Sequence, residues 1–179
     1  MARIEPAARP YEVDMEATLE KLMPPGVEPL VLFRTLARSP RVFRRFMAGG
    51  LLDKGSVTLR EREIVIDRAC ARCGGEYEWG VHIALFAEKA GFGAEEIAAT
   101  VAPGEADCWT PREKLLIRLV DELHDTAHVS DALWSELTSE FSGEQLIELV
   151  VLTGLYHMVS FTVNALRLEP EAYAARFPA

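Results

Sequence analysis

Cysteine is scarce in this chain: there are three in 179 residues, an odd number and too few to staple a fold. No disulfide framework is expected, and a reducing, cytoplasmic compartment is. Positive charge is also short, with 19 Lys and Arg against 28 Asp and Glu, a net charge of -9. Surfaces that bind nucleic acid or anionic membranes are rich in Lys and Arg, so neither is expected as a partner. The first residues, M-A-R-I-E-P-A-A-R-P, lack the apolar core of a signal peptide. Strand signals are missing as well. No run alternates apolar and polar residues at period two between turn signals, which leaves an all-α fold.

What is present is apolar, 49% of the chain, enough for a sizeable core in one domain spanning residues 1–179. Residues 1–12 carry two prolines and little pattern and are expected to form an extended arm. Helix starts are well marked. Thr58 with Glu61, Thr110 with Glu113 and Ser142 with Gln145 are capping boxes, and Ser39-Pro40 and Ser130 open further helices. Shorter helices are expected over Asp14–Met23, stopped by Pro24-Pro25-Gly26, around Val31–Leu36, and from Gly93 to Val101. The helix from Pro40 is expected to reach about Leu52, and the one from Thr110 about His124. The starts T-L-R-E-R-E at 58 and T-P-R-E-K-L at 110 look alike, through internal duplication or because good helix starts resemble one another.

The last helix, Leu146–Leu166, is apolar nearly all round and long enough to cross a bilayer. Glu148, His157 and Asn164 inside it argue against that. The expectation is a buried helix, part of which faces another subunit of a homo-oligomer. Thr153, His157, Ser160 and Asn164 share one polar line along it, either bonded to neighbouring helices or lining a site.

Chemistry concentrates in Leu59–Gly91, read as two helices joined at Gly74-Gly75. On the first, Glu63, Ile66, Cys70 and Cys73 form one stripe, so Glu63 faces the core, as a desolvated acid or base or as the partner of Arg62 or Arg68. On the second, Glu78 and His82 stand at i and i+4, a carboxylate placed to orient an imidazole. Tyr77 and Trp79 flank them. Cys70-Ala-Arg-Cys73 has redox spacing, but Cys73 sits at the negative end of its helix, where a thiolate gains nothing. Two residues three apart in a helix have Cβ atoms about 5–6 Å apart, against about 3.5–4.5 Å in a disulfide. Cys108 lies in a loop without a sequence partner. A metal held by Glu78, His82 and His157 is conceivable, but no spacing demands one; no metal and no cofactor are expected.

These residues resemble the carboxymuconolactone decarboxylase family, which includes the alkylhydroperoxidase-D-like (AhpD-like) proteins. The resemblance is carried by R-E-R-E-I-V-I-D-R at 60–68, G-G-E-Y-E-W-G-V-H at 74–82, A-G-F-G-A-E-E-I at 90–97, L-Y-H-M at 155–158 and L-F-R-T-L-A-R at 32–38. It implies a helical bundle of about eight to ten helices, assembled as a trimer or hexamer. The family's peroxidase branch carries a glutamate and a histidine nineteen residues apart, as Glu63 and His82 are. Between them it has a C-x-x-C, whose positions fall here on Gly75 and Glu78, or on Glu76 and Trp79 in the alternative register. The redox cysteines of that branch therefore do not carry over, and the non-redox, acid–base branch is the nearer likeness.

Three functions are expected in order. The first is an acid–base enzyme acting on a small organic acid or lactone. His82 would carry the proton, Glu78 would orient it and Glu63 would be the second acid or base; Tyr77, Trp79 and His157 would shape the pocket. The second is a thiol peroxidase using Cys70 and Cys73. The third is a helical oligomer that binds a ligand without turning it over.

Overall fold

The computed structural model describes the chain except residues 1, 12, 24, 25 and 179 and the side chains of residues 13 and 14. Among the described residues there are nine helices and no strand: α1 (Val13–Leu22), α2 (Val31–Leu36), α3 (Pro40–Ala48), α4 (Leu59–Arg72), α5 (Glu76–Ala90), α6 (Ala94–Val101), α7 (Pro111–Thr126), α8 (Asp131–Glu140) and α9 (Gly143–Leu166). The all-α expectation holds. So do the starts: Thr58, Thr110 and Ser142 each accept a bond from the backbone three residues on, and Glu61, Glu113 and Gln145 return it. Each such cap is worth about 1 kcal/mol. The stops at Gly74 (φ 61°) and Gly91 (φ 73°) use the left-handed conformation that glycine adopts without strain.

Two boundaries differ from expectation. Helix α3 ends at Ala48, ahead of Leu52, because Gly49-Gly50 follows and glycine is a poor helix former. Helix α7 runs past His124 to Thr126 and closes on Ala127 in the left-handed region (φ 58°). The Pro24-Pro25 part of the expected stop after α1 lies outside the described residues.

Helix α4 is the centre of the fold. It packs against α5, α6, α7 and α9, and every residue from Glu61 to Cys70 is buried. Its arginines are therefore matched inside the protein. Arg68, 1% exposed, donates to both carboxylate oxygens of Asp121 at 2.7 Å and to the carbonyls of Thr100 and Ala102. At the helix starts, Arg60 of α4 bonds Glu113 of α7 at 2.5 Å, and Arg112 of α7 bonds Glu61 of α4 at 2.8 Å. The two look-alike starts are thus cross-linked reciprocally.

Helix α9 is long and apolar enough to cross a membrane by length and composition, yet it packs against α4, α5 and α8. Leu146, Leu149, Leu152, Tyr156, Val159 and Val163 face inward. Its other side leaves Ile147, Val151, Met158 and Phe161 exposed, Phe161 by 62%. Glu148 is tied to the loop before α4 through the backbone and hydroxyl of Ser56, at 2.7 and 2.6 Å.

Both chain ends lie against this body. In the expected arm, the backbone N–H groups of Arg3 and Ala7 donate to the carbonyls of Leu166 and Arg34. The C-terminal segment crosses α5, where Ala175 N–H donates to the Gly80 carbonyl at 3.0 Å. A Cβ on Gly80 would lie 2.1 Å from the Ala175 carbonyl oxygen, so this close approach requires glycine.

Candidate active site

His82 is 2% exposed and lies where α4, α5 and α9 meet. Its Nδ1 is 2.7 Å from Glu63 Oε2, its Nε2 is 3.0 Å from the Tyr156 hydroxyl, and Glu78 Oε1 is 3.5 Å from Nε2. The carboxylate that fixes the ring is therefore Glu63, nineteen residues upstream, while Glu78, expected to orient it, stands on the opposite nitrogen at longer range. Glu63 is itself held. Arg62 donates to its Oε1 at 2.9 Å and anchors its own guanidinium on the Leu52 carbonyl at 2.8 Å.

Burial disfavours a charged imidazole, but the bonds to Glu63 and then Glu78 outweigh it and hold His82 up to about 10. At neutral pH it is an imidazolium: Nδ1–H donates to Glu63 and Nε2–H to the Tyr156 oxygen. Tyr156 is left with its own O–H to offer elsewhere, polarised by the cation behind it. Asp67, one turn from Glu63, is buried with one carboxyl oxygen unpartnered. Burial drives its pKa well up; His82 opposes this, and Glu63 and Glu78 add to it.

A cavity of about 300 Å³ opens beside this cluster. Its walls are mostly apolar, including Phe33, Phe46, Met47, Leu51, Leu155 and Val159. The polar side chains on it are Glu78, Tyr156 and Asp53, with no arginine or lysine among the lining residues. Glu78 is 7% exposed, and its Oε2 has no hydrogen-bond partner. A buried, unpartnered carboxylate oxygen at a cavity wall is a costly arrangement unless a ligand uses it.

Other expected site residues lie elsewhere. Tyr77 accepts from the Leu32 backbone at 3.1 Å and donates to Glu171 at 2.8 Å, tying α2 and the C-terminal segment to α5. Trp79 donates to Thr100 at 2.9 Å and packs on Phe177. Neither lines the cavity. His157, one residue past Tyr156, points to the far side of α9 and contacts His124 at 3.0 Å. It is not brought to Glu78 and His82, so that metal trio is not assembled. Of the polar line on α9, Thr153 bonds its own helix at Leu149, and Asn164 caps the Cys73 carbonyl at 2.9 Å.

Cys70 and Cys73 are free thiols. Cys70 is fully buried; burial raises its pKa well above the usual range, and Glu78 and Asp67 raise it further. Burial raises Cys73 too. Neither is an activated nucleophile. At Gly75, where the peroxidase branch would have a cysteine in one register, a Cβ would lie 2.7 Å from Ser160 Oγ.

The sequence reading missed Tyr156. It was visible only as the neighbour of His157 on a helix too apolar to show which face turns inward.

The all-helical fold that carries this cluster is of the AhpD-like kind. An uncharacterized peroxidase-related protein from Silicibacter sp. TM1040 superposes with a TM-score of 0.82 at 17% identity, over 99% of this chain and 96% of that one. A peroxidase-related protein with an alkylhydroperoxidase AhpD core, from Ralstonia eutropha JMP134, gives 0.78 at 19% identity, over 96% and 93%. The debrominase Bmp8, solved with 2,3,4-tribromopyrrole, gives 0.77 at 16%, over 95% and 92%. No curated protein matches by sequence. Residues 38–122, which hold α3 to α6 and most of α7, match the carboxymuconolactone decarboxylase family. The stretch that matches holds Glu63, Glu78 and His82, and it lies inside an AhpD-like fold.

Proposed function

We propose that the protein is an acid–base enzyme that moves a proton on a small, uncharged, lactone-like molecule bound in the cavity beside His82. The observation that carries this reading is Glu78, whose Oε2 is buried and unpartnered, on the lining of the cavity that Tyr156 also lines. Glu78 acts as the general base and takes a proton from the carbon next to the substrate carbonyl. The electron pair of that C–H bond moves onto the carbonyl oxygen, where the Tyr156 O–H, polarised by the His82 imidazolium, stabilises it. Return of the proton from Glu78 to the same or a conjugated carbon completes the cycle. Glu63 and Arg62 hold His82 and do not touch the substrate.

Charge selects between the two substrate classes expected from the sequence. Arg62 and His82 already face Glu63 and Glu78, and the lining adds Asp53 but no cation. A free carboxylate would enter uncompensated, so a neutral lactone fits better than an organic acid.

The test is exchange of the α-proton of small lactones in deuterated water, followed by NMR. Wild type is expected to exchange at least one member of the panel. Glu78→Gln should slow exchange by about 10²–10⁴ and Tyr156→Phe by about 10²–10³. Equal rates in Glu78→Gln, or no exchange with any lactone, would overturn the assignment.

A second copy of the chain is the proposed cover for the outer face of α9, where Ile147, Val151, Met158 and Phe161 form an exposed apolar stripe at helical spacing. Only 44% of the most apolar stretch of this helix is buried within the chain.

A further inference from the structure

Away from the cavity, three helices bring together side chains that the acid–base site does not use. Cys73 caps the end of α4, His124 lies in the last turn of α7 and His157 lies midway along α9. His124 Nδ1 is 3.8 Å from Cys73 Sγ and 3.0 Å from His157 Nε2. One ligand atom from each of the three residues lies within 4.8 Å of the others, and all three residues are half-buried. We propose that Cys73, His124 and His157 form a binding site for a borderline-soft divalent ion, zinc above all, with a water at the fourth position.

The spacing fits the ion. Zinc bonds nitrogen at about 2.0–2.1 Å and thiolate sulfur at about 2.3 Å in a tetrahedron. That geometry places neighbouring nitrogens about 3.3 Å apart and sulfur about 3.6 Å from nitrogen. The two observed contacts, 3.0 and 3.8 Å, lie close to these values, and the third pair closes from within 4.8 Å as the ion binds. The donor set selects the metal: one sulfur with two imidazoles suits zinc, cobalt or copper and does not suit magnesium or calcium, which take oxygen ligands.

The ligands are prepared for it. His157 Nδ1 donates to the Thr153 carbonyl at 2.8 Å. That bond fixes the tautomer and leaves Nε2 bare and aimed at His124, the usual outer support of a metal-bound histidine. Arg72, the cation nearest the site, is matched by Asp121 and Asp125. The Cys73 thiol must give up its proton to the solvent when the ion binds. Half-burial leaves a route in for the ion and for the fourth ligand. A bound ion would staple the ends of α4 and α7 to α9 and would keep Cys73 from oxidants, a different task from the redox role its spacing suggests.

The experiment is titration of metal-free, tag-free protein with Co²⁺ and then Zn²⁺. Cobalt should bind one per chain, with a thiolate-to-metal charge-transfer band and the intense visible bands of a tetrahedral centre, and zinc should displace it. Cys73→Ser should abolish the charge-transfer band. His157→Gln should weaken affinity about 100-fold or more, and Cys108→Ser should change nothing. Zinc should also protect Cys73 from a thiol reagent in otherwise unaltered protein, a readout independent of any variant's folding. Absence of the charge-transfer band, its survival in Cys73→Ser, or unprotected Cys73 at saturating zinc would overturn the proposal.

Discussion

Replacing Glu63 with glutamine keeps the shape of the side chain and removes the charge that holds His82. His82 is raised from 6.5 to about 10, and Glu63, at 2.7 Å, is the leading partner that raises it. At about 1.4 kcal/mol per pH unit, that elevation corresponds to roughly 4–5 kcal/mol of stability. Breaking a buried ion pair costs a similar amount, about 3–5 kcal/mol. Because the folded pKa lies above the unfolded one, this contribution is fully present below pH 6.5 and is lost as the pH rises through about 10. Glu63→Gln should therefore lower Tm by roughly 6–20 °C near neutral pH for a domain of this size. It should also flatten the decline of stability across that window. Asp67, raised for a different reason, titrates in a window that opens near 3.8 and must be separated from His82. The assay is urea and thermal unfolding at several pH values, with nitrogen NMR of labelled histidine to follow His82 itself. A variant that keeps the wild-type slope above neutrality, or whose His82 still titrates near 10, would refute the assignment of Glu63 as the group that charges the ring.

Two further outcomes follow from packing. Gly80→Ala should release the C-terminal segment from α5, because the new methyl collides with the Ala175 carbonyl; a loss of about 1–3 kcal/mol and rapid proteolysis near residue 175 are expected, and wild-type resistance would contradict the close approach. Val151→Asp combined with Phe161→Glu should turn an oligomer into a monomer in analytical ultracentrifugation without loss of helical signal, and an unchanged mass would remove the outer face of α9 from the interface.

The helices were legible because their starts are chemical. A threonine or serine three residues before a glutamate or glutamine states where an α-helix begins, and Thr58, Thr110 and Ser142 did so. Burial was less legible. The most apolar helix, α9, is half uncovered, whereas the charged helix α4 is the buried centre. Periodicity cannot reveal this, because a buried arginine and a surface arginine look the same until the partner is placed. Asp121 lies 53 positions from Arg68, and nothing local announces it. The same limit governed the site. Glu63 and His82 were found by stripe and spacing. Which carboxylate holds the ring, and which residue of the Tyr156–His157 pair turns inward, depends on how α9 rolls against α4 and α5. Tyr77 and Trp79 drew notice as aromatics beside a histidine, but on a helix adjacent residues point about 100° apart, and both went to structural duties.

The reciprocal clasp between α4 and α7 has a consequence for how the chain is made. Arg60, Glu61 and Arg68 all sit on the central helix, and each finds its closest oppositely charged partner beyond residue 111, at Glu113, Arg112 and Asp121. A nascent chain that has emerged only through α6 therefore holds its middle helix without these three ionic partners, and Arg68 has only carbonyls to bond. The protein cannot be built from its N-terminal half outward as a finished piece; it closes when α7 arrives, and a cut between α6 and α7 would separate two parts neither of which contains a complete core.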